Sequence, residues 1–295
     1  MLHGIEDLFL RDRQERKVIL IEKMREKKGR IGTMRNKNFI LGGIAFLEVM
    51  FLAAGNCGRT MTVDAASSGK GSEQPTAQEQ LNVIESQKEV WGKQDEMYSY
   101  SLSYMVADLD QDGYLEIIAS SVSGTGLYTT SEFYEVNRAG NKTECCSYDV
   151  PEGDSEADLS FSDSVPYYYD SSSNTYYYIF TDTVSASASE NYVSTIAVSM
   201  KDGVVTTKAL GTKETVFTNS DPVVTFYKSD GTVITEQEYD ALADEVFSGM
   251  EKGEAEFGWF CPYNSDMNAR NAAELSDDKL LEQLSVSWNK FYVSR

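Results

Sequence analysis

Between residues 108 and 116 the chain reads Asp-Leu-Asp-Gln-Asp-Gly-Tyr-Leu-Glu, and no other stretch restricts its folding as tightly. Carboxylates at positions 1, 3, 5 and 9, with glycine at 6 closing a tight bend, gather hard oxygen donors around one point, which is what calcium requires. Asp108, Asp110, Asp112 and Glu116 are therefore candidate side-chain ligands, and Tyr114 at position 7 is the candidate for a backbone carbonyl. Position 12 is Ala119, where an EF-hand needs a bidentate glutamate, so the loop is not an EF-hand. The flanks agree. Tyr98, Tyr100, Leu102, Tyr104 and Val106 alternate ahead of the loop, and Leu115 to Ile118 with Val122 follow with β character, placing the loop between two strands. The competing reading is a hydrated Asp-rich turn. Four like charges within one turn repel strongly unless a cation sits among them, which favours Ca2+.

Charge divides the chain into two materials. Residues 1–56 carry 11 Lys/Arg and 7 Asp/Glu, whereas the rest carries 15 and 40. Met34-Arg35-Asn36-Lys37-Asn38, then Phe39 to Gly55 almost without polar residues, then Asn56-Cys57 is a basic start, an apolar run and a small-residue exit, so residues 34–57 read as an export signal. The apolar run contains Glu48 and is short of the roughly 20 residues of a spanning helix, which makes a permanent anchor the weaker reading. Residues 1–33 are charged and helix-prone, fit neither signal nor fold, and are expected to be a non-native extension ahead of a start at Met34. Residues 58–80 are rich in Ser, Gly, Thr, Ala and Gln, the composition of a flexible tether.

Residues 81–295 are expected to form a single α+β domain. Leu81, Ile84, Lys88 and Trp91 lie at helical spacing and open it. The middle, Tyr98 to Tyr227, is built of Val, Ile, Thr, Tyr and Phe runs broken by turn residues, as in antiparallel hairpins, with Asp202-Gly203 and Asp230-Gly231 as turns. Two amphipathic helices are expected near the end. Thr235 with Glu238 forms a capping box ahead of Tyr239, Leu242, Val246 and Met250. Ser276 precedes Asp277 and Asp278 and then Leu280, Leu281, Leu284, Trp288 and Phe291.

The net charge of -21 excludes a phosphate backbone as partner, so no nucleic acid is expected. His3 is the sole histidine, which removes most imidazole-based hydrolase chemistry, and Ser121-Val122-Ser123-Gly124 lacks the frame of a nucleophile elbow. Tyr167-Tyr168-Tyr169 and Tyr176-Tyr177-Tyr178 bracket a turn and are expected as facing strands. Their rings either stack on a glycan or peptide ligand or pack across the strands. One of the adjacent Cys145 and Cys146 is a candidate to bond Cys261 outside the cell.

Two resemblances add to this. Leu52-Ala53-Ala54-Gly55 ahead of Cys57 resembles the box of a bacterial lipoprotein signal, which implies lipidation of Cys57 and a membrane anchor; the alternative is cleavage after Gly55 or Asn56 and release. The Asp-x-Asp-x-Asp-Gly-x-x-Glu loop resembles the calcium loops of FG-GAP and integrin-type repeats, although it occurs once and does not imply a propeller. Signal, tether, Trp-bearing helix, acidic hairpin, tyrosine-rich strands and the Gly231 to Tyr239 segment together resemble secreted lipoproteins of clostridial-type Gram-positive bacteria that have no assigned activity. The chain is thus expected to be a lipid-anchored surface protein, a binding or structural module with one structural calcium. The alternative is an extracellular hydrolase of glycan or peptide that uses paired carboxylates.

Overall fold

The acidic loop sits at the end of a hairpin. In the computed structural model β1 (Ser99–Ala107) and β2 (Glu116–Ser123) pair antiparallel, with Ala107 opposite Glu116, so the loop joins them directly. The structure describes residues 74–93, 99–123, 128–149, 157–218 and 221–294, within a unit that starts at Asp64. Residues 1–33, the expected signal at 34–57 with Cys57, and the tether up to residue 73 lie outside the described residues.

Strands β3 (Tyr128–Val136) and β4 (Thr143–Cys145) complete a four-stranded antiparallel sheet in the order β1-β2-β3-β4. A nine-stranded sheet follows from β5 (Ser147–Asp149), β6 (Ser164–Asp170), β7 (Thr175–Ser187), β8 (Glu190–Lys201), β9 (Val204–Val216), β10 (Val223–Lys228), β11 (Val233–Ile234), β12 (Glu251–Glu256) and β13 (Tyr292–Val293). Its order is β11-β10-β9-β8-β7-β6-β12-β13, and β5 adds in parallel to β9. Asp202 and Gly203 hold φ of 51° and 71° between paired Lys201 and Val204, the left-handed pair that a two-residue hairpin turn demands.

Period-two alternation divides the apolar residues between three cores. Met105, Ile118 and Phe133 from the small sheet meet Tyr178, Phe180, Ile196 and Phe257 from the large one and its neighbours. Tyr104, Val106 and Ile117 point the other way, onto α1 (Ala77–Ser86), α2 (Lys88–Trp91) and a later helix through Ile84, Trp91, Leu280 and Leu284. On the far side of the large sheet, Tyr168, Ala197 and Leu210 are covered by Leu242 and Phe247, around α3 (Glu236–Asp240) and α4 (Leu242–Val246). Helices thus flank two packed sheets, an α+β arrangement that is mostly antiparallel.

Several local expectations change. Helix α1 begins at Ala77, inside the stretch read as tether, because Thr76 and Glu79 form a full capping box. The Thr235–Glu238 box does start a helix, but the chain turns at Ala241. Two five-residue pieces result, with Val246 exposed and Met250 beyond them. After a single turn, α5 (Pro262–Ser265), the last helix α6 (Asp277–Lys290) follows Ser276, as its apolar spacing predicts. Cys261 carries a thiol, so the expected bridge from the adjacent pair is not formed, and Cys146 is a buried thiol. The tyrosine triads do face each other, Tyr167 to Tyr178, Tyr168 to Tyr177 and Tyr169 to Tyr176. Tyr167, Tyr176 and Tyr178 enter the core between the sheets, while Tyr168 and Tyr177 stack on Phe247 at 5.1 and 4.9 Å. Tyr167, Tyr168, Tyr176 and Tyr178 are buried, and Tyr169 and Tyr177 are half-buried.

Helix α1 is tied to the acidic loop by Gln80, which is buried. Its Nε2 donates to the Gly113 carbonyl at 2.8 Å and the Pro75 carbonyl at 3.0 Å, and its Oε1 accepts from the Leu115 N–H at 2.8 Å. Gln80→Leu strands these backbone groups and is expected to destabilise by about 1–3 kcal/mol for each group left buried and unpaired. Denaturant unfolding measures this, and a neutral result would contradict the tie.

Candidate metal centre

Backbone torsions shape the loop first. Gln111 and Gly113 hold φ of 57° and 86°, and the second lies in a region that glycine occupies without penalty. The chain therefore curls back on itself and turns its N–H groups inward. Asp112 N–H donates to Asp108 Oδ1 at 3.0 Å, Gly113 N–H to Asp108 Oδ2 at 3.1 Å, and Tyr114 N–H to Asp112 Oδ1 at 2.8 Å. Gln74 Nε2 donates to the Asp112 carbonyl at 3.0 Å, closing the outside of the bend.

These contacts bring Asp108, Asp110 and Asp112 together, one oxygen from each lying within 4.8 Å of the others, in a group able to hold a metal ion. Asp108 and Asp110 are buried and Asp112 is half-buried. Glu116 stands beside this trio rather than in it. It has no exposed surface; its Oε2 accepts from the Leu109 N–H at 2.7 Å, and its Oε1 has no hydrogen-bond partner among the described residues. Tyr114, expected to offer its carbonyl, contributes its N–H to Asp112 and its ring to a guanidinium.

Three residues far away in sequence complete the surroundings. Glu135 of β3 lies directly opposite Glu116 in the ladder, so both side chains take the face that looks onto the large sheet. The β8–β9 turn closes that side: Asp110 accepts from the Asp202 N–H, and a Cβ on Gly203 would stand 3.1 Å from Glu135 Oε2. Arg138 brings the countercharge. Its Nη1 pairs with Asp112 Oδ2, its Nη2 lies 3.9 Å from Glu135 Oε1 and 3.8 Å from Asp202 Oδ1, and its guanidinium covers the Tyr114 ring at 4.3 Å.

Electrostatics follow from this crowding. Two like charges 4 Å apart repel by about 4 kcal/mol at an effective dielectric near 20, several times what one hydrogen bond returns. Burial, then Asp110 and Asp112, raise Asp108 to about 7. Burial and Asp112 raise Asp110 to about 6, and burial with Asp112 raises Glu135 to about 7. Burial first, then Asp108 and Asp110, push Glu116 well above the usual carboxyl range. Burial also lifts the Cys146 thiol, with Glu116 and Glu135 adding to it. A divalent cation would cancel these costs, and the donor set is all oxygen, as Mg2+ and Ca2+ prefer over softer metals.

Asp108, Asp110 and Asp112 were legible as a group from their spacing, whereas Glu116, read as a fourth carboxylate ligand, stands outside that group. Gln80, Glu135, Arg138 and Asp202 were not legible, because only helix packing, strand register and sheet packing bring them to the loop. Comparison of the chain with protein-family models, with curated proteins and with solved structures finds no match.

These shifts carry a pH dependence of known sign. Because the folded carboxyls titrate near 6 to 7 and unfolded ones near 4, the folded protein holds more protons between those limits, and stability falls as pH rises. Carboxylates with lowered values, such as Asp170 and Asp244, act below that window. With a chelator present, the melting temperature is expected to be lower at about pH 7.5 than at about pH 5, a difference that saturating calcium removes. A melting temperature that climbs over this range under chelation would contradict the assignment.

Proposed function

We propose that this chain is an exported module, held at the outer face of the cell membrane, whose α+β domain is fixed by one calcium ion and works as a binding or structural element. The observation that carries the reading is Glu116, a fully buried carboxylate with an oxygen unpartnered among the described residues, beside three clustered aspartates. Leaving such a group ionised without a cation costs several kcal/mol. Calcium suits the site because its ligands are oxygens, and because calcium is plentiful outside cells, where weak sites near 10⁻⁴ to 10⁻³ M are filled. The export signal at 34–57, with Cys57 as its lipid-bearing residue or its cleavage neighbour, supports that address. The charge of the remainder keeps such a domain soluble and away from nucleic acid.

In this reading calcium acts mechanically. It neutralises the end of the β1–β2 hairpin at the point where the β8–β9 turn abuts it, and so locks one sheet against the other. The hydrolase alternative needs one carboxyl set apart as acid and another as base. Here Asp108, Asp110 and Glu135 shift in the same direction, with burial as the leading cause of each.

Thermal melting of the full chain in a mild non-ionic detergent tests the proposal. At a hundredfold excess over Kd, linkage adds about 2.7 kcal/mol, or roughly 5–10 °C at about 2–4 °C per kcal/mol. Asp110→Ala is expected to abolish the increment. A wild-type melting temperature indifferent to calcium at that hundredfold excess, about 10–100 mM for a Kd near 10⁻⁴ to 10⁻³ M, would remove the metal from the account.

A further inference from the structure

We infer that Glu135 completes the metal-binding set of this site and that Arg138 is its built-in competitor, holding Asp112 and Glu135 until a divalent cation takes them. The inference rests on the calcium reading above. Calcium takes six to eight oxygens, and the loop lacks the bidentate glutamate that an EF-hand supplies at position 12, since Ala119 stands there. Strand β3 offers a replacement. Glu135 is paired with Glu116 across the β2–β3 ladder and shares its face. Two buried oxygens on that face, Glu116 Oε1 and Glu135 Oε1, lack hydrogen-bond partners among the described residues. Asp112 and Asp110 are the acidic groups that act most on Glu135, which stands next to the group of three aspartates and not within it.

Like-charged residues directly opposite each other weaken a ladder, and nothing in sheet packing favours Glu116 facing Glu135. A shared cation turns that liability into a clamp between strands. In the structure Arg138 links Glu135 to Asp112 of the loop instead. One guanidinium nitrogen pairs with Asp112 Oδ2 and the other approaches Glu135 Oε1 at 3.9 Å, so the group spans the two carboxylates. It carries one delocalised charge, whereas a metal ion brings two on a compact centre. The arginine side chain is 51% exposed, and it has somewhere to go: Asp202 Oδ1 at 3.8 Å and the Tyr114 ring both remain available after Asp112 is surrendered. Release therefore needs no rearrangement of either sheet. Arg138 keeps the cluster neutralised in part, and its departure is a cost that every binding ion must meet, so it sets the affinity.

Calorimetric titration of the full-length chain in detergent with calcium chloride tests this in four proteins: wild type, Arg138→Gln, Arg138→Lys and Glu135→Gln. Arg138→Gln is expected to tighten calcium on the order of tenfold by removing the competing charge. Arg138→Lys should fall between it and wild type, because an ammonium is a point charge that cannot fork across two carboxylates. Glu135→Gln should weaken binding on the order of tenfold. A merely structural role for Arg138 predicts the opposite, since loosening the loop would weaken the ion. Circular dichroism reports whether each variant is folded, and if Arg138→Gln is not, a Lys variant tighter than wild type still supports the inference. Wild-type binding that is unchanged or weakened by the folded arginine variants, or unchanged by Glu135→Gln, overturns the inference and leaves the calcium reading in place. Binding by Arg138→Gln but not by wild type supports the competitor and overturns the calcium reading for the native chain. Absence of binding in both overturns the two together.

Discussion

Negative charge concentrated where two sheets meet is the constraint on which the rest of the structure depends. Asp108, Asp110, Asp112, Glu116 and Glu135 crowd the end of the β1–β2 hairpin, facing a turn of the large sheet, and Arg138 pairs with Asp112 and approaches Glu135. Burial removes the water that would screen these charges. The fold must therefore protonate them, pair them or bind a cation, and each choice affects how firmly the small sheet is held to the large one. Inward N–H groups at Asp112, Gly113 and Tyr114 relieve part of the load without supplying charge.

The scaffold around that point is rigid for ordinary reasons. The apolar faces of both sheets share one core, and helices cover the opposite faces through Ile84, Trp91, Leu280 and Leu284 on one side and Leu242 with Phe247 on the other. Gln80 carries that rigidity into the loop by holding Gly113 and Leu115 from helix α1. A preorganised ring of donors on a fixed hairpin loses little entropy when an ion enters, which suits a structural site more than a sensor. The tyrosines belong to the same scaffold, since stacked pairs such as Tyr168 with Phe247 staple a helix pair to the sheet.

Local chemistry made much of this readable from sequence. Alternation marked Leu102, Tyr104 and Val106 as one face of a strand, the Asp202-Gly203 dipeptide marked a hairpin turn, and the loop spacing marked three clustered aspartates. Other features were hidden for physical reasons. Strand β12, Glu-Lys-Gly-Glu-Ala-Glu, has almost no β signature and is a strand because β6 and β13 pair with it on both sides. Helix α1 starts earlier than its apolar residues suggest because the Thr76–Glu79 cap, not hydrophobicity, fixes its first turn. Glu135, Arg138 and Asp202 could not be assigned to the site from spacing, since strand pairing and sheet-on-sheet contact place them there from well beyond the loop.

Anomalous diffraction from crystals of the full chain grown with calcium would test the central claim most directly. A single peak bounded by oxygens of Asp108, Asp110 and Asp112, with Glu116 turned towards it, is the expected result. Density for those side chains splayed into solvent, or a peak found only at lattice contacts, would contradict it.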